Sequence, residues 1–396
     1  MKVLFIAPYV PSRIRVRPFH LIRELARRHQ VQVLALGEPA EDAVEGIAEI
    51  ESCVVELRIV PHRRLRGYLQ SLAALPTPTP MCAAFCKSPA MTKAVYDMME
   101  GTRFDVVHVE HLRAAHFAPA GFLPVVFDAV DCLTRLFRQM ARHRRNPLAK
   151  LVNAEESWKL RRYEPRVLEG MDRVVVTSDT ERAALLALNP RLDVEVVPNG
   201  VDTDYFAPQG TPKLAHRVVF SGKMSYRPNS QAALWFAENV FPALRARWPD
   251  AEFLIVGSGP PAEVCRLAAA PGITVTGYVD DIRPYLDSCQ AAVAPMQVAV
   301  GVQNKVLESM AMGLPVVATP MAVRPFGPDC LGVFRAAEPE EFVREVSGLL
   351  ADGEAARRAG QEGRAAVRRG FSWQASAERL ERIYEELVED HARSAA

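Results

Sequence analysis

A chain of 396 residues is too long for one ordinary hydrophobic core, so two or three domains are expected. Its 49% hydrophobic and 24% charged residues are those of a soluble globular protein, and a net charge of +1 argues against nucleic acid as a partner. No apolar run approaches the ~20 residues needed to cross a bilayer, Pro8 and Pro11 cut short the apolar start that a signal peptide would need, and a cytoplasmic protein is expected.

The predicted elements begin with an apolar strand over residues 2–7. An Arg- and Pro-rich loop leads from it to a helix over 19–28 and a second strand over 31–36. This β-α-β start implies a parallel sheet with right-handed crossovers. Further strands are predicted over 105–109, 124–128 and 173–178, and the Pro/Thr run over 75–80 reads as a stiff connector. Pro198, Asn199, Gly200, Pro208, Gly210 and Pro212 crowd into a hinge-like stretch. Beyond it the plan repeats, with strands over 217–222, 252–257, 273–277, 291–295 and 315–319, and a helix over 229–244. The tail over 373–388 is an amphipathic helix with Leu380, Ile383, Tyr384 and Leu387 on one face. The fold class is α/β, two doubly wound domains.

Seven scattered cysteines include one close pair, Cys82 and Cys86; Cys-x₃-Cys without a second pair is a weak zinc signal, and buried thiols in a reducing cytosol are expected. Charge is uneven. Residues 1–200 carry 28 Lys+Arg against 23 Asp+Glu, and residues 201–396 carry 20 against 24. The excess gathers in two knots, His62-Arg63-Arg64-Leu65-Arg66 and Arg138 through Arg145. Each reads either as a solvated helix face or as a contact for an anionic acceptor or acidic lipid headgroup, so a peripheral contact with the inner membrane is compatible. The knots lack interleaved aromatics, which again argues against nucleic acid.

The most informative stretch is GVQNKVLESMAMGLPVVAT, residues 301–319. It predicts a loop, a helix and a strand, with the helix N-terminus facing something polar. Helix N-termini and a fixed ammonium stabilise anionic groups, and Gly301 allows close backbone approach. Lys305 supplies the ammonium, and Glu308 lies one turn on, roughly on the same side.

With VVPNGVDTDYF (196–206), VFSGKM (219–224), LIVGSGP (254–260), VTGYV (275–279) and FSW (371–373), this stretch resembles the GT-B glycosyltransferases of retaining type. The resemblance is to glycosyltransferase family 4, and in pattern to bacterial transferases of exopolysaccharide assembly. It implies two Rossmann-like doubly wound domains facing across a cleft: residues 1–198 on the acceptor side, residues 199–372 binding a nucleotide diphosphate sugar, and residues 373–396 as a helix returning to the first domain. It implies transfer of a sugar to a glycan or lipid-linked acceptor with retention, without a metal or other cofactor. The donor-binding set it suggests is Gly222, Lys223, Arg227, Gly301, Val302, Gln303, Asn304, Lys305 and Glu308, with Glu308 accepting from ribose hydroxyls. Val300 stands where family members often have a second glutamate, a departure that leaves the donor sugar open. In the first domain one of His108, Glu110 or His111 matches a histidine that relatives place against sugar or acceptor. Arg13, Arg15, Asp128 and Asp131 are further acceptor-side candidates.

Two readings rival transfer: a nucleotide-sugar epimerase, and a non-catalytic nucleotide-sugar-binding subunit. Asp202-Thr203-Asp204 imitates a metal-binding Asp-x-Asp but sits in the hinge-like stretch, where turn and helix-cap chemistry is expected. Gly257-Ser258-Gly259 lacks the third glycine and the acidic residue of a dinucleotide fingerprint.

Overall fold

Short apolar runs between turn residues suit strands buried on both faces, and the computed structural model contains two parallel sheets of this kind. It describes residues 1–13, 15–37, 44–143, 147–298, 303–326 and 330–395. The first sheet comprises β1 (Lys2–Ala7), β2 (Gln30–Leu36), β3 (Glu56–Val60), β4 (Val106–Glu110), β5 (Val125–Val130), β6 (Arg173–Val176) and β7 (Val194–Val196). Its order is β3-β2-β1-β4-β5-β6-β7, with every neighbouring pair parallel. The second comprises β8 (Arg217–Ser221), β9 (Glu252–Val256), β10 (Ile273–Gly277), β11 (Ala291–Ala294), β12 (Val316–Ala318) and β13 (Val333–Arg335). Its order is β10-β9-β8-β11-β12-β13, again all parallel.

The chain divides into two compact units, Met1–Pro198 with the chain from Ser376 onward, and Asn199–Ala375. In each sheet the strand order reverses once, between β1 and β4 and between β8 and β11. Connections leave such a point in opposite directions, which opens a crevice at the carboxyl ends of the two strands.

Each unit has its own core. Phe220, Phe236, Phe253 and Phe342 are wholly buried in the second, with the Phe236 and Phe253 rings 4.7 Å apart. Leu4, Ile6, Val107, Val109 and Phe127 fill the first. The last helix, Trp373–Ala395, buries Leu380, Ile383 and Tyr384.

Two expectations need correction. The single helix predicted over 229–244 is two helices, Arg227–Asn239 and Phe241–Arg247. Pro242 has no N–H to donate and its ring crowds the preceding turn, so one helix ends and another begins with proline in its first turn. Strands β3, β7 and β13 were not anticipated. All three lie at sheet edges, and β7 and β13 have only three residues each, too few for an apolar run to stand out.

Candidate functional site

At the switch point of the second sheet a cavity of ≈ 370 Å³ is lined by Asn199, Gly222, Lys223, Asn229, Gln303, Asn304, Lys305 and Glu308. Gly222 and Lys223 follow β8, Asn229 sits in the helix Arg227–Asn239, and the last three belong to the helix Asn304–Ala311, which follows β11. Of the donor-binding residues that the resemblance suggests, the structure brings Gly222, Lys223, Gln303, Asn304, Lys305 and Glu308 together around this cavity. Gly301 and Val302, together with Val300, lie outside the described residues. Arg227 is exposed and does not line the cavity. It stands at the first position of its helix, and the same turn sends Asn229 inward instead.

Glycines make this convergence possible. Gly222 has φ +146°, and a Cβ there would stand 2.8 Å from Asn229 Nδ2 and 3.2 Å from Lys305 Cε. At Gly257, just beyond β9, a Cβ would fall 1.9 Å from the Gly222 carbonyl oxygen, at a φ of +143°. The two loops touch backbone to backbone, with Gly222 N–H donating to the Val256 carbonyl (3.0 Å) and Met224 N–H to the Ser258 carbonyl (2.8 Å). Only residues without a side chain allow that approach.

Asn229 and Asn199 escaped sequence reasoning. Asn229 is 5% exposed, and its Nδ2 donates to the Lys223 carbonyl at 3.0 Å. Its Oδ1 has no hydrogen-bond partner among the described residues. Neither asparagine carries a charge, and Asn199 stands out in the sequence only as part of the hinge-like stretch.

The electrostatics centre on Lys305. Its Nζ donates to Gln303 Oε1 at 3.3 Å and lies 5.9 Å from the centroid of the Phe220 ring, and it makes no ion pair among the described residues. Burial pushes the ammonium down to about 8, with the nearby Glu308 carboxylate pulling it back up. Burial likewise raises Glu308, with Lys305 opposing. Each charge is thus held at a cost that the other only partly offsets. The N-terminus of the helix Asn304–Ala311 borders the same space, and Gln303 makes no side-chain cap there. A half-buried cation at a positive helix end suits an anionic ligand.

The switch point of the first sheet is built differently. Tyr9, beyond β1, donates from Oη to Glu110 Oε1 at 2.7 Å, and the Arg15 guanidinium lies 4.5 Å above the Tyr9 ring. Buried Arg17, in the helix Val16–Ala26, donates through Nε to Asp128 Oδ2 at 2.7 Å, while Asp128 Oδ1 accepts from the Val130 N–H at 3.0 Å. His108 stacks on Phe5 with ring centroids 4.3 Å apart, and its Nδ1 pairs with Tyr384 Oη at 2.8 Å.

This geometry corrects several sequence expectations. His108, Glu110 and Asp128 are each no more than 1% exposed, so none has surface with which to touch an acceptor. Burial keeps two of them uncharged at neutral pH, pushing His108 down to about 4 and Glu110 up to about 8. His111 differs. It is partly exposed at φ +66°, and its Nδ1 accepts from the Arg113 N–H at 3.2 Å. Burial and then the charges of Arg113 and Arg15 push its ring down to about 3, leaving a neutral imidazole. Asp131 is half-buried and accepts from Thr177 Oγ1 at 3.2 Å, with burial raising its carboxyl. Arg13 is exposed and paired with Glu49. Of the expected residues in this unit, Arg13, Arg15, His111 and Asp131 keep surface. In the hinge-like stretch, Asp202 Oδ1 accepts from the N–H groups of Asp204 (3.1 Å) and Tyr205 (2.9 Å), which is turn chemistry.

Comparison with known proteins decides what these two units are. Residues 16–205 match the model "Glycosyltransferase Family 4", and residues 215–352 match "Glycosyl transferases group 1". The chain is a family 4 glycosyltransferase. A phosphatidyl-myo-inositol mannosyltransferase from Mycolicibacterium smegmatis is 26% identical over 371 residues, covering 90% of this chain and 89% of the relative. An MMP alpha-(1->4)-mannosyltransferase from Mycolicibacterium hassiacum is 26% identical over 397 residues, covering 93% of each. Among solved structures, sucrose-phosphate synthase from Thermosynechococcus elongatus superposes with a TM-score of 0.68 at 17% identity, covering 98% of this glycosyltransferase and 100% of that chain. Anabaena HepE in complex with UDP and glucose gives 0.68 at 14% identity, with the same coverage. The fold is GT-B. No helix among the described residues is long and apolar enough to cross a membrane.

Proposed function

We propose that this glycosyltransferase moves a sugar from a nucleoside diphosphate sugar to a glycan or lipid-linked acceptor, with retention at the anomeric carbon, in polysaccharide biosynthesis. The observation that carries this reading is Lys305, a half-buried ammonium at a helix N-terminus whose hydrogen-bond partner is the neutral amide oxygen of Gln303. A diphosphate placed there gains negative charge as the glycosidic bond breaks, and Lys305, Lys223 and the first-turn amides stabilise that charge. In this reading the cations and amides do what a divalent metal does elsewhere, and no metal takes part. Glu308 accepts from ribose hydroxyls, and Asn229 steadies the Lys223 loop through its carbonyl.

Retention follows from departure and attack on one face of the sugar, with a phosphate oxygen of the leaving diphosphate taking the acceptor proton. No enzymic nucleophile is needed. On the first unit, His111 and Arg15 offer a neutral imidazole and a cation to the acceptor. Support for the donor class comes from the UDP bound by Anabaena HepE, and support for a lipid-linked acceptor from the phosphatidyl-myo-inositol named for the Mycolicibacterium smegmatis relative.

The test is thermal stabilisation by UDP, GDP and ADP and their sugars. One nucleotide series raises Tm in the parent protein, and Lys305→Ala and Glu308→Ala each lose that rise. Full stabilisation in both variants overturns the assignment.

A further inference from the structure

The helix Arg64–Ala73, RLRGYLQSLA, lies on the first unit with its amphipathic faces inverted. It packs inward through small and polar residues. Gly67 is buried, and a Cβ on it would stand 2.7 Å from the Phe85 ring. On the same side Gln70 Nε2 donates to the Lys87 carbonyl at 3.2 Å, Ser71 Oγ donates to the Met81 carbonyl at 3.1 Å, and Ala74 is buried just past the helix end. At 3.6 residues per turn the opposite face carries Leu65, Tyr68, Leu69 and Leu72. These four are 72%, 64%, 60% and 63% exposed, and Tyr68 meets Phe85 only edge-on, at 5.4 Å. A surface helix of a globular protein ordinarily turns such a stripe to the core.

Charge says what covers it. Arg63, Arg64 and Arg66 are exposed and make no ion pair among the described residues. The helical wheel sets Arg64 and Arg66 on either flank of the apolar stripe. No acidic residue occurs between Glu56 and Asp97. Aliphatic side chains outward, a tyrosine among them and guanidiniums at the margins match the depth profile of a lipid monolayer: acyl chains below, interface in the middle, phosphates at the edge.

We propose that this face is a docking surface for an anionic lipid bilayer, with Leu65, Leu69 and Leu72 entering the acyl boundary and Arg64 and Arg66 on the lipid phosphates. It stands apart from the donor assignment, because the residues involved are in the first unit and vesicle binding is measured without nucleotide. Small inward residues seat the helix on the protein, and the outward stripe remains free to enter lipid.

The experiment is co-sedimentation of the full chain with vesicles of phosphatidylcholine alone and of phosphatidylcholine with phosphatidylglycerol. Binding is expected to the anionic vesicles, weakening with salt. The triple variant Leu65→Gln/Leu69→Gln/Leu72→Gln is expected to bind about tenfold more weakly or worse, and Arg64→Glu/Arg66→Glu to lose the preference for anionic lipid. Tyr68→Trp is expected to show a blue-shifted emission with anionic vesicles, quenched by brominated lipid. Unchanged melting of the variants shows that they fold. Three results each overturn the proposal: no binding to anionic vesicles, undiminished binding by the triple variant, or conversion of a dimer to a monomer by that variant in sedimentation velocity.

Discussion

Replacing Lys305 by methionine separates what the ammonium does for binding from what it costs the fold. The ammonium sits at about 8 in the ligand-free site, below the 10.5 of an exposed lysine, because burial outweighs the pull of Glu308. The gap corresponds to about 3 kcal/mol of penalty on the charged form. Since the folded value lies below the unfolded one, the unfolded chain binds more protons between about pH 8 and 10.5, and ligand-free stability rises with pH across that window. Below it both states are protonated and the penalty is fully present. Lys305→Met therefore stabilises the ligand-free protein at pH 7 by up to about 3 kcal/mol, less whatever Glu308 loses with its partner. A diphosphate reverses the balance, because a charge-assisted hydrogen bond is worth about 1.5–3 kcal/mol, or about 10- to 150-fold in affinity. In the parent protein the Kd for nucleoside diphosphate is expected to hold steady up to about pH 7.5 and weaken above about 8; in the variant it is weaker throughout and loses that inflection. Calorimetric titration from pH 7 to 9.5 with chemical denaturation of both proteins reads both effects. A parent-like pH profile in the variant, or a variant less stable than the parent, refutes the reasoning.

Gly257→Ala places a methyl group 1.9 Å from the Gly222 carbonyl at a φ that L-residues avoid, so it is expected to cost about 2 kcal/mol or more and to weaken nucleotide binding by displacing the Gly222 loop. Melting curves with and without nucleotide measure both losses, and an unchanged nucleotide shift would show that the loops are not coupled. Glu110, raised to about 8 by burial, holds its proton in the folded state across pH 4.5 to 8 while the unfolded chain releases it, so its contribution to stability falls as pH rises through that window. Glu110→Gln is expected to flatten this fall, seen as a smaller Tm difference between pH 6 and pH 8 than in the parent; an equal difference in both counts against a buried, protonated Glu110.

Legibility in the sequence followed burial. Strands such as Glu252–Val256, buried through the second sheet, are nearly unbroken apolar runs and could be read directly, whereas Glu56–Val60 alternates with exposed positions and hid in a polar context. The cavity residues Lys305 and Glu308 announced themselves as a charged pair one helical turn apart. Asn229 did not, because its place depends on how the turn after Gly222 starts a helix, and the same turn is why Arg227 points away. On the first unit, strand alternation puts His108 and Glu110 of β4 on one side and His111, just past its end, on the other. It could not show that Tyr384, 276 residues further on, would close over His108.

Charge alone distinguishes the two switch points. Both sheets reverse their strand order once, and each sets a cation near that point, buried Arg17 in the first and half-buried Lys305 in the second. In the first, Arg17 lies 2.7 Å from Asp128, and both side chains are almost wholly buried. A phosphate there would have to displace a carboxylate already paired, and breaking a buried pair costs about 3–5 kcal/mol. Arg15 is a further cation nearby, exposed and screened by water. In the second, the hydrogen bond from Lys305 goes to a neutral amide, so a diphosphate adds attraction and breaks no ion pair. The same order of the first six strands therefore carries one switch point whose buried charges neutralise each other and another whose ammonium favours an anionic group.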